Sequence, residues 1–318
     1  MSIAPSASQP STPVSADSLR VQTGVVIGRQ RLADYAELCR PRIAVMTMVA
    51  VAVGFTLASP ITFDGAKLVV AMLGVVQLVA ASSILNQCLE RRTDVRMTRT
   101  QSRPIASGRI SVSEASAAAA LLTVVGFCLL WNIVNPAAAI ATLATLVAYA
   151  LAYTLLKTRT SLCTTIGAIP GAMPPVIGWL AAGRGLGVEA LALFAIFFVW
   201  QFPHFLAIGW IHRRDYQHAG LRMLPSFTDN GFLTGLIAVI YAAAFVPVSA
   251  FPAYIGMSGD LYLVSAMVFS VAYLVYSIRF LMRRSEVRAR SLLYNSLICL
   301  PLLLIALVLD FLRLTAIG

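Results

Sequence analysis

About nine stretches of this chain are apolar over lengths of roughly 20 residues, the length a helix needs to cross a bilayer core. They lie near 43–60, 67–87, 115–134, 137–156, 163–182, 188–210, 232–252, 261–282 and 292–312. Lipid offers no partner to a backbone N–H or C=O, so such segments must close their own hydrogen bonds as helices. Only 12% of the residues are charged and 59% are hydrophobic, against about 25% charged in a soluble domain. These features predict an all-α integral membrane protein with nine transmembrane helices. Asn135 and Pro136 separate the third span from the fourth. Gly167, Pro170, Gly171, Pro174 and Pro175 fall inside the fifth, which is expected to be kinked. Broken helices survive at membrane depth where neighbours or a cavity satisfy the freed groups, which favours a bundle around a central cavity.

The formal charge of +11 does not point to nucleic acid, because the basic residues recur between apolar segments rather than forming one patch. With the N-terminus inside, 21 of the 24 Lys and Arg residues fall on the inner side; only Lys67, Arg184 and Arg313 fall outside. This asymmetry predicts a cytoplasmic N-terminus and an outer C-terminus. It also places the loops after the second, fourth and sixth spans on one face. Residues 1–30, rich in Ser, Pro, Ala and Val, are expected to be a disordered cytoplasmic tail, with a mitochondrial presequence as the weaker alternative. Residues 31–318 form the membrane domain. Cys39, Cys88, Cys128, Cys163 and Cys299 have no metal-type spacing and are read as buried or free thiols.

The loop after the second span is the most informative. Asn86, Glu90 and Asp94 are spaced by four, so a helix puts them on one face, one turn apart. Oxygen ligands suit Mg²⁺, which typically takes one or two carboxylates together with substrate phosphates. Arg99 and Arg103 follow at once and suit the phosphates. The loop after the sixth span adds Asp215, a fourth candidate ligand, with Arg214 and Arg222. The loop after the fourth adds Lys157, Arg159 and Thr160. The expected catalytic and metal-binding set is Asn86, Glu90, Asp94 and Asp215. The expected diphosphate-binding set is Arg99, Arg103, Lys157, Arg159 and Arg214. Plainer roles remain open: Glu90 and Asp94 as surface ion pairs with Arg91, Arg92 or Arg96, and Asp215 as a solvated acid. Trp200, Trp210 and Tyr216 also suit interface anchors. His204, beside Pro203 in an apolar stretch, is either a functional intramembrane group or a hydrogen-bonded structural histidine.

The run Asn86-x₃-Glu90-x₃-Asp94-x₂-Met97-x-Arg99-Thr100-x₂-Arg103-Pro104 resembles the first acidic motif of the heme O synthase (protoheme IX farnesyltransferase) family. That family is a branch of the intramembrane aromatic prenyltransferase superfamily. Tyr153-Thr154-x₂-Lys157-x-Arg159-Thr160 and Gly171-Ala172-Met173-Pro174-Pro175-x₂-Gly178-Trp179 match as well. So does Trp200-Gln201-Phe202-Pro203-His204-Phe205 through Asp215-Tyr216-x₂-Ala219-Gly220-x₂-Met223-Leu224-Pro225. Other branches usually carry two aspartates where only Asp215 stands here. Cys163 and Pro170 depart from the pattern. The resemblance covers roughly residues 30 to 313. It implies transfer of the farnesyl group of farnesyl diphosphate to a vinyl group of heme b, giving heme O. It implies Mg²⁺ as cofactor, membrane lipid as surroundings, and a heme A synthase as candidate recipient of the product. It makes His204 a candidate heme contact, through iron or a propionate. A bacterial inner membrane with the site on the cytoplasmic side is expected, with the mitochondrial inner membrane as the alternative. Rival readings are prenyl transfer to a benzoate, naphthoate or chlorin, a transporter, and a non-catalytic heme-binding assembly factor.

Overall fold

The computed structural model describes residues 30–59, 63–153, 163–220, 224 and 231–317. Among them every regular element is helical. We label them α1 (Gln30–Cys39), α2 (Pro41–Leu57), α3 (Gly65–Asp94), α4 (Val112–Leu129), α5 (Pro136–Val147), α6 (Cys163–Ala181), α7 (Val188–Ile211), α8 (Arg213–His218), α9 (Phe232–Tyr254), α10 (Asp260–Met282) and α11 (Glu286–Ile317). Short π-helical segments extend α4 (Leu130–Val134) and α5 (Ala148–Tyr153). Six described helices are long and apolar enough to cross a membrane, or seven if α1 and α2, bent by 45°, count as one span. Two shorter apolar helices, Pro136–Ala150 and Thr165–Ala181, fall in the fourth and fifth apolar stretches. Leu121, Val124, Leu191, Val264 and Leu309 are each more than half exposed, a surface that water does not tolerate over a whole molecule and lipid does. The chain is a multi-pass membrane protein.

The helix ends follow from local chemistry. The Asp64 carboxylate accepts from the Lys67 amide at 2.9 Å and opens α3. Asn135 adopts an extended backbone, and its side chain accepts from the Ala138 amide at 2.8 Å; Pro136 then starts α5. Asx caps and a proline in the first turn are strong start signals, so the expected break at these residues is present. The fifth stretch runs as one helix through Pro170, Pro174 and Pro175.

Two apolar cores divide the bundle. One joins α2 to α3, α4, α5 and α6 around Phe55, Leu78, Ile84, Leu130 and Ile177. The other joins α6, α7, α9, α10 and α11 around Leu193, Phe245, Tyr262, Tyr273 and Phe280. Helices α2 and α6 cross where Gly54 faces the Pro175 carbonyl and Gly178 faces the Val51 carbonyl. A Cβ at either glycine would collide with the opposing backbone. Without a hydrophobic drive between helices in lipid, such small-residue crossings let backbones approach and gain dispersion energy. Gly54→Val and Gly178→Val should each destabilise the detergent-solubilised protein by at least about 1–3 kcal/mol through overpacking. Gly185→Ala, whose new Cβ meets open space, should leave the melting midpoint in place. Equal midpoints for all three in a thermal melt would show that the crossing carries no stability.

Candidate active site

The acidic row lies on the last three turns of α3, on its buried face. Asn86, Glu90 and Asp94 are 2%, 6% and 1% exposed, so they are not surface ion-pair partners. A carboxylate buried at this level must be paired or neutralised. Arg103 supplies the pairing for Asp94: its Nη1 donates to Oδ1 at 2.9 Å and to Oδ2 at 2.8 Å. The Thr100 hydroxyl donates to the Asp94 carbonyl at 2.9 Å and closes the end of the helix. The Asn86 amide donates to the Glu90 carboxylate, and its oxygen receives Arg40 Nη2 at 3.5 Å. Arg91, Arg92 and Arg96 are exposed.

Arg40, one of the basic residues on the inner side of the charge pattern, also belongs to this site. It stands between α1 and α2 with φ 48° and ψ 67°, the one non-glycine residue with positive φ among the described residues. The left-handed region is costly for a residue with a Cβ, and a following proline restricts it further. This hinge turns the Arg40 guanidinium toward Asn86. Tyr149, near the end of the fourth apolar stretch, hydrogen-bonds with Arg40 and lies in the field of Glu90 and Arg103. Nothing in the spacing of the sequence singles out either residue. Burial, and then the repulsion of Arg40, hold the Arg103 pKa below its ordinary value, while Asp94 works to raise it. Guanidinium groups stay charged under such pressure, and two of them facing each other favour an anion between them.

Helix α8 brings the second loop to the same place. Tyr216 packs against Met97 and Ala219 in a small core that joins the two loops, so it is not an interface anchor. Burial raises the Tyr216 pKa, against the charges of Arg99 and Arg103; Glu90 and Asp215 add to the rise. Burial and Arg99 lower His212, which Asp215 acts to raise. Asp215 is half-buried and within electrostatic reach of the row's surroundings. Arg99 is exposed beside them. Arg214 is exposed, and its charge acts on Glu286 at the start of α11. Lys157, Arg159, Thr160 and Arg222 lie outside the described residues.

Among the described residues, no group of three or more His, Cys, Asp or Glu side chains is arranged to hold a metal. The Asn86 amide is bonded to the Glu90 carboxylate, and Asp94 follows one turn on along the same buried face of α3. Two carboxylates and an amide oxygen are a partial shell of the kind Mg²⁺ completes with water and phosphate oxygens, so the residues fit that ion. His204 sits apart. Its Nδ1 is 2.7 Å from the Ser296 hydroxyl on α11, and its ring stacks on Trp200 with centroids 4.9 Å apart. The Trp200 indole donates to the Ser296 carbonyl at 3.0 Å. Ser296 donates its own proton to the Leu293 carbonyl at 2.6 Å, so its oxygen is the acceptor for the histidine. His204 is therefore a hydrogen-bonded group in the second core's surroundings.

Residues 47–305 match the UbiA prenyltransferase family. A protoheme IX farnesyltransferase of Solibacter usitatus is 41% identical over 288 residues, covering 88% of this chain and 99% of its own. The structure of a digeranylgeranylglyceryl phosphate synthase superposes with a TM-score of 0.73 at 18% identity, over 89% of this chain and 99% of the other. A UbiA homolog from Archaeoglobus fulgidus bound to DMAPP and Mg²⁺ gives a TM-score of 0.63 at 17% identity, over 86% and 99%. At those identities the two structures speak for the fold alone. The chain belongs to the UbiA prenyltransferase family, in the branch of the protoheme IX farnesyltransferases.

Proposed function

We propose that this protein transfers the farnesyl group of farnesyl diphosphate to a vinyl group of heme b, with addition of water, giving heme O and diphosphate. The observation that carries the chemistry is the buried Asn86–Glu90–Asp94 row faced by Arg40 and Arg103. The identity to a protoheme IX farnesyltransferase along nearly its whole length supports the choice of substrates. The setting that fits the charge pattern is a bacterial inner membrane crossed nine times by α1–α2 and the apolar helices after it. The N-terminus and the site then lie on the cytoplasmic side, the cavity lies between the two cores, and a heme A synthase receives the product.

The reaction breaks the allylic C–O bond, and the electron pair leaves on the diphosphate. The vinyl carbon bonds to farnesyl C1, and water adds to the neighbouring carbon and loses a proton. Asn86, Glu90 and Asp94, with Asp215 from the facing loop, are the groups that would hold Mg²⁺. When bound, that ion supplies positive charge to the leaving diphosphate. Arg40, Arg99 and Arg103, with Lys157, Arg159 and Arg214, offset the remaining negative charge. Charge that grows as the bond breaks is stabilised most in the transition state, so these contacts raise the rate and not only the affinity. The apolar walls keep bulk water from the farnesyl cation until the carbon–carbon bond exists. His204, oriented by Ser296, is the candidate contact for the heme.

Purified protein given heme b, farnesyl diphosphate and Mg²⁺ should yield a heme heavier by one farnesyl group plus water, seen by mass analysis, and none with EDTA. Unchanged heme b from folded protein, with a benzoate or naphthoate prenylated instead, would move the assignment to another acceptor. Asp94→Ala and Arg103→Gln should each lower turnover by about 10²-fold or more, comparable to removing one transition-state contact. Near-normal turnover of Asp94→Ala would remove that residue from the metal set.

A further inference from the structure

Arg109 lies outside the acidic row, yet among the described residues it makes four side-chain hydrogen bonds where Arg103 makes two. Its Nε donates to Asp34 Oδ1 at 2.9 Å and its Nη2 to Glu37 Oε2 at 3.3 Å, both on α1. Its Nη1 donates to the Ser102 carbonyl at 2.9 Å and to the Ser107 hydroxyl at 3.0 Å. Ser107 passes the contact on, donating its own proton to the Arg103 carbonyl at 2.8 Å. One guanidinium therefore ties two segments together. One ends three residues beyond Glu37 in the strained Arg40 hinge; the other holds Arg103.

The same face of α1 is fastened a turn earlier. Arg31 and the Tyr35 hydroxyl both donate to Glu114 Oε1, at 2.9 and 2.7 Å. Leu38 is fully buried, and its carbonyl accepts from Gln87 at 3.0 Å, one residue from Asn86. Arg31, Asp34, Tyr35 and Leu38 form an i, i+3, i+4, i+7 stripe, and every member is engaged. Asp34 is 6% exposed, so its pairing with Arg109 is not a loose surface contact of the kind that contributes little. A left-handed arginine before a proline persists only where its surroundings over-determine it. Arg109 supplies that restraint from the loop side.

We propose that Arg109, through Asp34 and Glu37, is a positioning residue of the diphosphate subsite: it locks α1 onto the loop after α3 so that Arg40 and Arg103 face the same anion. This rests on the diphosphate reading of the row. Loss of the lock leaves both guanidinium groups in the chain but releases their alignment, so it weakens the diphosphate end of the reaction and spares the heme end.

The test uses the full-length protein in detergent, with KM for each substrate, kcat, the melting midpoint, and the affinity for pyrophosphate with Mg²⁺ by calorimetry. Arg109→Gln should raise both the farnesyl diphosphate KM and the pyrophosphate Kd by about tenfold, since misplacement of binding groups acts on the contacts they make. The heme b KM should stay within about twofold, and Arg109→Lys should recover part of the loss. Asp34→Asn is the second variant should Arg109→Gln not fold, and the double variant should be no worse than either alone. Equal increases in both KM values, or a lowered midpoint with unchanged pyrophosphate affinity, would overturn the inference and leave Arg109 as a fold staple. Wild-type protein that binds no pyrophosphate would overturn the diphosphate reading itself, and this inference with it.

Discussion

The site is organised by one electrostatic requirement: a carboxylate that is 1% exposed at the end of a membrane helix has to meet a cation. Arg103 meets it from nine residues away with both carboxylate oxygens engaged. That pairing bends the chain back after α3, with Thr100 sealing the last turn. The loop that results packs Met97 against Tyr216 and so draws α8, from the other half of the bundle, over the same end. A buried pair of this kind adds little net stability compared with an apolar alternative, because desolvation consumes most of the attraction. In the proposed function the pair holds open a place that phosphate oxygens and a divalent cation would take.

The apolar segments were legible because lipid demands long uninterrupted runs, and the Asn135–Pro136 break because an Asx cap followed by proline is a local signal. The acidic row was legible because a spacing of four is also local. Other features were not. Helix α1 carries Arg31, Asp34 and Glu37 among its ten residues, so a search for apolar runs passes over it. Its register becomes meaningful only beside Arg109 and Glu114, about 75–85 residues away in sequence. Arg40 looks like any basic residue at the start of a span, and its left-handed backbone has no signature in composition. Tyr149 is one aromatic among many in an apolar stretch. The spacing offers Arg103 to phosphate; in the structure it is already held by Asp94. His204 is an ionisable group at membrane depth, and the fold gives it Trp200 from one turn earlier on α7 and Ser296 from α11, a helix no motif connects to it.

The two halves of the proposed chemistry thus have different supports. The diphosphate end is built by α1, α3, the loop after it and α8, through charges that oppose and offset one another within a small volume. The acceptor end is proposed to lie by the second core, where Trp200, His204 and Ser296 are stacked and hydrogen-bonded to one another. Helices α2 and α6 are in backbone contact at Gly54 and Gly178, and α6 contributes residues to both cores.

The most direct measurement is an experimental structure of the protein with Mg²⁺ and a non-hydrolysable thio analogue of farnesyl diphosphate. The account predicts the diphosphate within hydrogen-bond reach of Arg40 and Arg103, with metal on Glu90 and Asp94. Diphosphate bound elsewhere, with the Arg103–Asp94 pair intact and no metal on the row, would contradict it.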